Sequence, residues 1–197
     1  MIAILLNDAS FEQDIRELLM AFYPGETFTH KEEEAGEAEL IVRGVRDGNS
    51  FSLDVTPVRK EAVHFALIYP DFSNRFETKN EIKQTLYRLL SAQTGKELPW
   101  GTLTGIRPTK IALTKLYDGW TDEQIETYMR ETYFTSKEKI DLSIDVAERE
   151  RRLLSTIDYE NGYSLYVGIP FCPTTCLYCS FTSFPIVKWE KRMDLYK

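Results

Sequence analysis

The cysteine-rich stretch of this sequence runs from Tyr166 to Cys179 and reads YVGIPFCPTTCLYC. It begins inside a β-prone run, Tyr163–Ile169 (YSLYVGI), whose aromatic and branched side chains favour a strand. Pro170 ends that run, and the cysteines follow directly. We therefore predict a strand that leads into a loop, with all three cysteines of the chain on that loop.

The cysteines follow the spacing C-x3-C-x2-C, at Cys172, Cys176 and Cys179. Three thiolates at this spacing can reach three irons of a cubane 4Fe–4S cluster, a kind of cluster that usually has four cysteine ligands. The sequence contains no fourth thiol, and His30 and His64 lie far upstream. The fourth iron is therefore predicted to be open to a ligand that is not protein, where a substrate or cofactor can bind.

Other chemistries fit the three cysteines less well. A structural zinc site takes four ligands, usually as two pairs, and here the second pair is missing. Burial in a core is an alternative because cysteine is often buried, although Pro173 and two threonines between the thiols are not a core pattern. A disulfide with one odd thiol is disfavoured in a cytosolic setting.

The composition is typical of a globular protein: of the 197 residues, 43% are apolar and 28% are charged. That length allows one large or two small domains. Lys and Arg number 24 against 31 Asp and Glu, a net charge of −7, so we expect no nucleic-acid partner. No apolar run approaches the roughly 18 residues of a membrane span, and the N-terminus lacks the basic region of a signal peptide. We therefore expect a cytoplasmic protein.

The first 97 residues are predicted to form a small α+β domain in the order β-α-β-β-β-α. Strands are expected at Ile2–Leu6, at Leu40–Val45, around Leu53 and over Ala62–Tyr69, with a hairpin turn at Asp47-Gly48. A second helix is expected from Asn80 to a stop at Gly95, and the acidic run 31–39 is expected to be a solvated loop. The first helix follows a cap at Asp8 or Ser10, and its apolar side chains recur at helical spacing: Phe11, Ile15, Leu18, Leu19 and Phe22.

Residues 98–160 are predicted to form a helical connector. It opens with LPWGTLTGIRPTK (Leu98–Lys110), in which glycines and prolines break any regular period. Helices are expected over Ile111–Tyr117, behind a cap at Thr121, and over Lys137–Leu154, the last with a solvent-facing charged side at 148–152. Two roles are possible for Arg107 and Lys110: contact with an anionic ligand, or capping of local carbonyls.

The motif GIPFCPTTCLYCSF resembles the cluster motif of radical S-adenosylmethionine enzymes. More narrowly, YVGIPFCPTTCLYC is similar to the oxygen-independent coproporphyrinogen III oxidase family. The upstream LPWGTLTGIRPTK block and the SFTS that follows Cys179 resemble the HemZ-type branch of coproporphyrinogen dehydrogenases, which carries an extra N-terminal domain. The resemblance implies that residues 161–197 begin a (β/α) partial barrel, with the cluster loop after its first strand.

The resemblance also implies a chemistry and its residues. Cys172, Cys176 and Cys179 would bind the 4Fe–4S cluster, while Tyr166 and Tyr178 would lie against S-adenosylmethionine. A 5′-deoxyadenosyl radical would then take hydrogen from a propionate side chain, and loss of CO2 would convert coproporphyrinogen III to protoporphyrinogen IX in heme biosynthesis. The porphyrinogen is the expected partner, along with an electron donor that the sequence does not identify. No catalytic residue beyond the cluster ligands is assigned.

Two positions depart from the family pattern. Gly168 stands where the well-studied oxidases have histidine, and Phe181 stands where they have a fourth cysteine. Both departures occur in relatives that bind or deliver heme, so a heme chaperone is an alternative function. A third possibility is that the N-terminal part is a docking or regulatory module. Because only 18 residues follow Cys179, we expect an N-terminal portion of a longer enzyme that does not turn over alone.

Overall fold

The computed structural model describes residues 1–58, 63–105, 107–158, 161–174, 176–179, 181 and 184–195. The chain divides into two compact units, Met1–Thr156 and Ile157–Lys197. The predicted boundaries near residues 97 and 160 stay predictions. Within the described ranges, no helix combines the length and the apolar character that crossing a membrane requires.

A five-stranded mixed sheet forms the centre of the first unit, in the order β2-β1-β3-β4-β5. Strand β1 lies parallel to both of its neighbours, whereas β3, β4 and β5 form an antiparallel meander. The α+β class is confirmed, and the sequence analysis missed only the two-residue strand β2. The strands are β1 (Ile2–Leu6), β2 (Phe28–Thr29), β3 (Leu40–Asp47), β4 (Ser50–Pro57) and β5 (His64–Ile68). Ala62, the predicted start of β5, lies outside the described residues.

Helices α1 (Glu12–Phe22) and α2 (Arg75–Thr94) supply the apolar side chains that pack with the sheet in one core. Asp8 accepts a hydrogen bond from the Ser10 N–H, as the predicted cap requires, and a single 3-10 turn precedes α1. Helix α2 begins five residues before the predicted Asn80, because Asn74 caps it there, and Gly95 ends it as expected. All five apolar side chains predicted for the first helix are buried in this core: Phe11, Ile15, Leu18, Leu19 and Phe22.

The acidic run 31–39 is more ordered than the predicted solvated loop. Residues Glu32–Glu37 form a 3-10 helix in which Ala35 is buried. Ala35 packs with Ala3 and Ala38 in a small apolar cluster of their own. The glutamates of this helix still lie at the surface, apart from a partly exposed Glu34 that Lys31 and Thr29 hold by hydrogen bonds.

Three helices build a second apolar core in the same unit: α3 (Thr109–Tyr117), α4 (Asp122–Tyr133) and α5 (Lys137–Leu154). Thr121 caps α4 in a complete capping box with Gln124, as the sequence predicted. Helix α5 begins after Ser136 and ends at Leu154, at the predicted bounds. The predicted i,i+4 pairing on α5 is confirmed by a 2.9 Å contact from Arg149 Nε to Asp145 Oδ1.

The segment Leu98–Thr104 joins the two cores. The Leu98 N–H donates to the Tyr87 hydroxyl at 2.9 Å, so the segment is attached to α2. Two further bonds join it to the end of α4 and the residues that follow: the Thr102 N–H donates to the Tyr133 carbonyl at 2.7 Å, and the Ser136 N–H donates to the Pro99 carbonyl at 2.9 Å. This part of the glycine- and proline-rich block is therefore a structural connection.

Three polar side chains, of which Lys83 is buried and Thr104 and Glu17 are half-buried, form a row of hydrogen bonds at the end of this segment. The Lys83 ammonium donates to the Thr104 hydroxyl at 2.9 Å, and that hydroxyl donates to the Glu17 carboxylate at 2.8 Å. Burial lowers the pKa of Lys83 below its ordinary value, while the carboxylates of Asp14 and Glu17 act in the opposite direction. Thr104 thus links α1 to α2 through one oxygen atom.

We expect Thr104→Val to lower the free energy of unfolding by about 1–3 kcal/mol, because the shape is kept while the buried Lys83 loses a hydrogen-bond partner. Chemical denaturation of both proteins measures the difference. The matched control is Thr114→Val at an exposed position on α3, where the change should stay within about 0.5 kcal/mol. Equal effects of the two substitutions would show that the hydrogen bonds of Thr104 with Lys83 and Glu17 do not stabilise the fold.

The second unit contains little regular structure. Its elements are β6 (Phe171–Cys172), β7 (Phe184–Pro185), the short helix α6 (Ile186–Trp189) and a 3-10 turn at Glu190–Leu195. Tyr196 and Lys197 lie outside the described residues.

The predicted strand Tyr163–Ile169 is wrong as a description of this structure. Those residues are described, and they form neither helix nor strand. A strand exists only when its backbone N–H and C=O groups pair with a neighbouring strand. Within the described part of the chain, the strand pairs recorded are those of the five-stranded sheet and of β6 with β7. The barrel itself stays a prediction.

Candidate metal centre

The cysteine loop is held together at its base. Strands β6 and β7 pair in parallel, with Phe171 opposite Phe184, and the Phe184 N–H donates to the Pro170 carbonyl at 2.8 Å. The Trp189 ring lies 5.7 Å from each of these phenylalanine rings, centroid to centroid. Three aromatic side chains therefore close the loop that runs from Cys172 to Phe184.

All three cysteines are free thiols. Cys172 is half-buried on β6, Cys176 is exposed, and Cys179 is half-buried. The Cys179 N–H donates to the Cys176 carbonyl at 3.1 Å, which makes a tight turn between these two residues. Thr175, Ser180, Thr182 and Ser183, which belong to the motif or to the SFTS after it, lie outside the described residues.

The donor chemistry of the loop fits an iron–sulfur cluster. Such clusters are bound by thiolates, and each of these sulfurs is free of a disulfide and can lose its proton to a metal. Within the described ranges, the structure does not bring three or more His, Cys, Asp or Glu side chains together as a metal site. The assignment of Cys172, Cys176 and Cys179 as the ligands of one cluster stays a prediction.

Both tyrosines predicted to lie against S-adenosylmethionine are largely exposed. Tyr178 is next to Cys179 on the loop, and Tyr166 lies in the segment before β6. The Tyr166 ring lies over Gly168, since a Cβ added at Gly168 would be 3.0 Å from Tyr166 Cε1. Gly168, which departs from the family pattern, therefore leaves room for the Tyr166 ring. A side chain at position 168 would require that ring to shift.

Arg107 forms an ion pair in this structure. Its Nη2 lies 3.2 Å from Glu150 Oε1 on α5, and the Arg107 side chain is exposed while that of Glu150 is half-buried. Exposed pairs of this kind contribute between 0 and about 1 kcal/mol. Ile106, in the middle of the same block, lies outside the described residues. This pair is neither of the two roles considered for Arg107, since it joins the guanidinium to a carboxylate 43 residues away in the sequence.

The sequence did not indicate an open pocket that apolar and polar side chains line together. It has a volume of about 300 Å³, lies where the parallel strands β1 and β2 end, and is lined by Asn7, His30, Glu32 and Arg43 among others. Arg43 holds Glu32 through two hydrogen bonds, of 2.5 and 3.0 Å, and this contact lowers the pKa of Glu32. Asn7 directly after the strand Ile2–Leu6 was the available signal, because polar residues at carboxyl ends of parallel strands often line sites.

Comparison with known proteins gives one relative. Over 127 residues the chain is 36% identical to the oxygen-independent coproporphyrinogen-III oxidase-like protein HemZ of Bacillus subtilis (strain 168). The match takes in 62% of this chain and 25% of HemZ, so the chain spans about a quarter of the length of the curated relative it matches. No family model matches the chain, and neither does a solved structure. The similarity to HemZ that the sequence motifs indicated is thereby confirmed.

Proposed function

We propose that this chain serves in the oxygen-independent oxidative decarboxylation of coproporphyrinogen III to protoporphyrinogen IX, a step of heme biosynthesis. The observation that carries the proposal is the loop with three free thiols at the spacing C-x3-C-x2-C. The similarity to HemZ, whose name describes it as coproporphyrinogen-III oxidase-like, supports the choice of substrate. The chain would contribute the binding loop for a 4Fe–4S cluster and S-adenosylmethionine to an oxidoreductase.

The proposal gives a role to the three cysteines and to two tyrosines. Cys172, Cys176 and Cys179 bind the cluster as thiolates, and β6 and β7 keep the two ends of the loop together around it. Tyr178 and Tyr166 offer exposed rings to S-adenosylmethionine. When bound, the cluster and S-adenosylmethionine supply a 5′-deoxyadenosyl radical, which is chemistry that no side chain of the loop can supply.

The test uses the complete product of the gene, reconstituted with iron and sulfide without oxygen. Coproporphyrinogen III, S-adenosylmethionine and a reductant are added, and both 5′-deoxyadenosine and protoporphyrinogen IX are measured. Formation of both products supports the proposal. Formation of 5′-deoxyadenosine alone would support the radical chemistry but rule out coproporphyrinogen III as the substrate. A protein that carries the cluster and forms neither product would overturn the whole proposal.

A heme-binding or heme-delivery protein is the second candidate, favoured by Gly168 and Phe181. Gly168 makes room for Tyr166 in place of the histidine of the oxidases, and Phe181 provides an exposed aromatic side chain in place of a fourth thiol. Titration with heme, followed by the absorption of bound heme, separates the two candidates. Stoichiometric heme binding together with no porphyrinogen turnover would favour the second one.

A further inference from the structure

An open groove follows one side of α4 and the turn before that helix. It has a volume of about 440 Å³. Its lining residues recur at the three- and four-residue spacing of one helix face: Trp120, Glu123, Gln124, Thr127, Tyr128 and Glu131. From Glu123 to Glu131 the helix rises about 12 Å, at about 1.5 Å per residue. The α4 groove is therefore longer than a single side chain.

Two aromatic rings of the α4 groove are held in fixed positions. The rings of Trp120 and Tyr128 meet edge to face, with centroids 5.6 Å apart and an angle of 76° between their planes. The Trp120 N–H donates to the Lys115 carbonyl at 3.0 Å, and the Tyr128 hydroxyl lies 3.3 Å from the hydroxyl of Tyr133. A ligand therefore meets rings that are already ordered, which lowers the entropy lost on binding.

These two rings already bind a cation of the chain itself. The Lys115 ammonium lies 4.3 Å from the centroid of the Trp120 ring and 5.1 Å from that of Tyr128. The Asp118 carboxylate is 3.7 Å from the same ammonium. A cation is attracted to the face of an aromatic ring, most strongly to tryptophan. Because both rings also line the α4 groove, they offer aromatic surface to a second cation from that side.

Charge in the α4 groove is negative and not neutralised. Glu123 and Glu131 are both exposed. Within the described ranges neither carboxylate has an ion-pair partner, whereas Glu126 on the same helix pairs with Arg130 at 3.1 Å. Two free carboxylates on either side of ordered aromatic rings are complementary to basic side chains, since arginine both pairs with carboxylates and stacks on aromatic faces.

We propose that the α4 groove binds an extended basic segment of a partner protein, with arginine or lysine at every second position. Residues four apart in an extended chain are separated by about 13 Å, which matches the distance from Glu123 to Glu131. The two outer basic side chains pair with these carboxylates, and the middle one lies against Trp120 and Tyr128. This inference does not depend on the proposed reaction, and its test needs neither iron nor S-adenosylmethionine.

Fluorescence anisotropy of a labelled synthetic peptide, titrated with the full chain, tests the inference. The peptide has three arginines at alternate positions and alanines elsewhere. It should bind the chain, and added salt should weaken binding because exposed charges are screened. A second peptide with glutamine in place of each arginine should not bind. Absence of binding by the arginine peptide, or equal binding of both peptides, would overturn the inference.

Glu123→Gln and Glu131→Gln should each weaken binding about two- to fivefold, because each removes one carboxylate and keeps the size of the side chain. The matched control is Glu33→Gln at another exposed position. It changes the net charge of the chain by the same amount and should leave binding unchanged. Equal loss in all three variants would indicate general attraction to an acidic protein and would overturn the groove as the site.

Trp120→Leu separates the aromatic contribution from that of charge. It should weaken binding about three- to tenfold, since the cation loses an aromatic face, and unchanged binding would contradict a role for the ring. Free arginine amide should displace the peptide only at much higher concentration, because it cannot reach both carboxylates. Displacement at equal concentration would overturn the extended segment in favour of a small organic cation. Circular dichroism checks that each variant folds.

Discussion

Replacing Cys176 by serine should reduce the iron bound after reconstitution from about four atoms per chain to less than about one. A serine hydroxyl keeps its proton at neutral pH, whereas metal ligands must be deprotonated. Cys176 is the most informative of the three because it is exposed, so the substitution disturbs no packing. Cys172→Ser and Cys179→Ser should have the same effect, and the complete gene product should lose its activity with the iron.

The control for this series is Thr174→Ser, which changes a side chain between two of the cysteines and keeps all three thiols. It should load iron as the unchanged chain does. Thiol labelling gives a second, independent reading: three thiols should react before reconstitution, and all three should be protected afterwards. Full loading of a chain that lacks all three cysteines would contradict the assignment, and zinc bound in place of iron would favour a structural site.

The largest effect on stability is expected from Gly101→Ala. A Cβ at Gly101 would lie 1.9 Å from the Tyr133 carbonyl oxygen and 2.6 Å from the Phe134 carbonyl carbon. Both are backbone atoms, which cannot rotate away as a side chain can. Overpacking costs about 1–3 kcal/mol, and the left-handed backbone at φ +58° adds about 1–2 kcal/mol for any residue with a Cβ. We expect a loss of about 2–5 kcal/mol in the free energy of unfolding.

Gly48→Ala separates the two contributions. Gly48 has nearly the same backbone angle, φ +57°, and no atom within 4 Å of the added Cβ. It should therefore lose only the backbone part, about 1–2 kcal/mol. Chemical denaturation of both variants measures the difference, and equal losses would show that close packing at Gly101 contributes nothing. In Gly101→Ala, the bonds from Thr102 to Tyr133 and from Ser136 to Pro99 should also open, which hydrogen exchange at these amides can detect.

Local patterns predicted the helices well because a helix is held by contacts within its own segment. Thr121 and Ser136 were identified as starts from residue type alone, and both begin helices. The short strand β2 escaped prediction because two residues show no alternation, and it forms only where Phe28 can lie beside Ile2 of β1. The prediction of a strand over Tyr163–Ile169 was wrong for the converse reason: its residues suit a strand, but the described ranges contain no strand that pairs with it.

The candidate site, like the fold, was predicted from the sequence only in part. Residue type and spacing alone identified Cys172, Cys176 and Cys179, because the ligand chemistry of a thiol belongs to the side chain itself. Nothing in the local pattern indicated that Phe171, Phe184 and Trp189 close the loop, since these contacts join residues on either side of it. The room that Gly168 leaves for Tyr166 likewise required coordinates.

The sequence by itself determined the starts of α4 and α5 and which residues carry the candidate metal chemistry. Only the tertiary structure decided that β1 lies between β2 and β3, that α2 begins at Arg75, that Gly101 packs against the end of α4, and that Thr104 joins α1 to α2. Helical periodicity and thiol chemistry are properties of neighbouring residues. Strand order, close packing and exposure depend on residues that are distant in sequence, and they are settled only when the whole chain has folded.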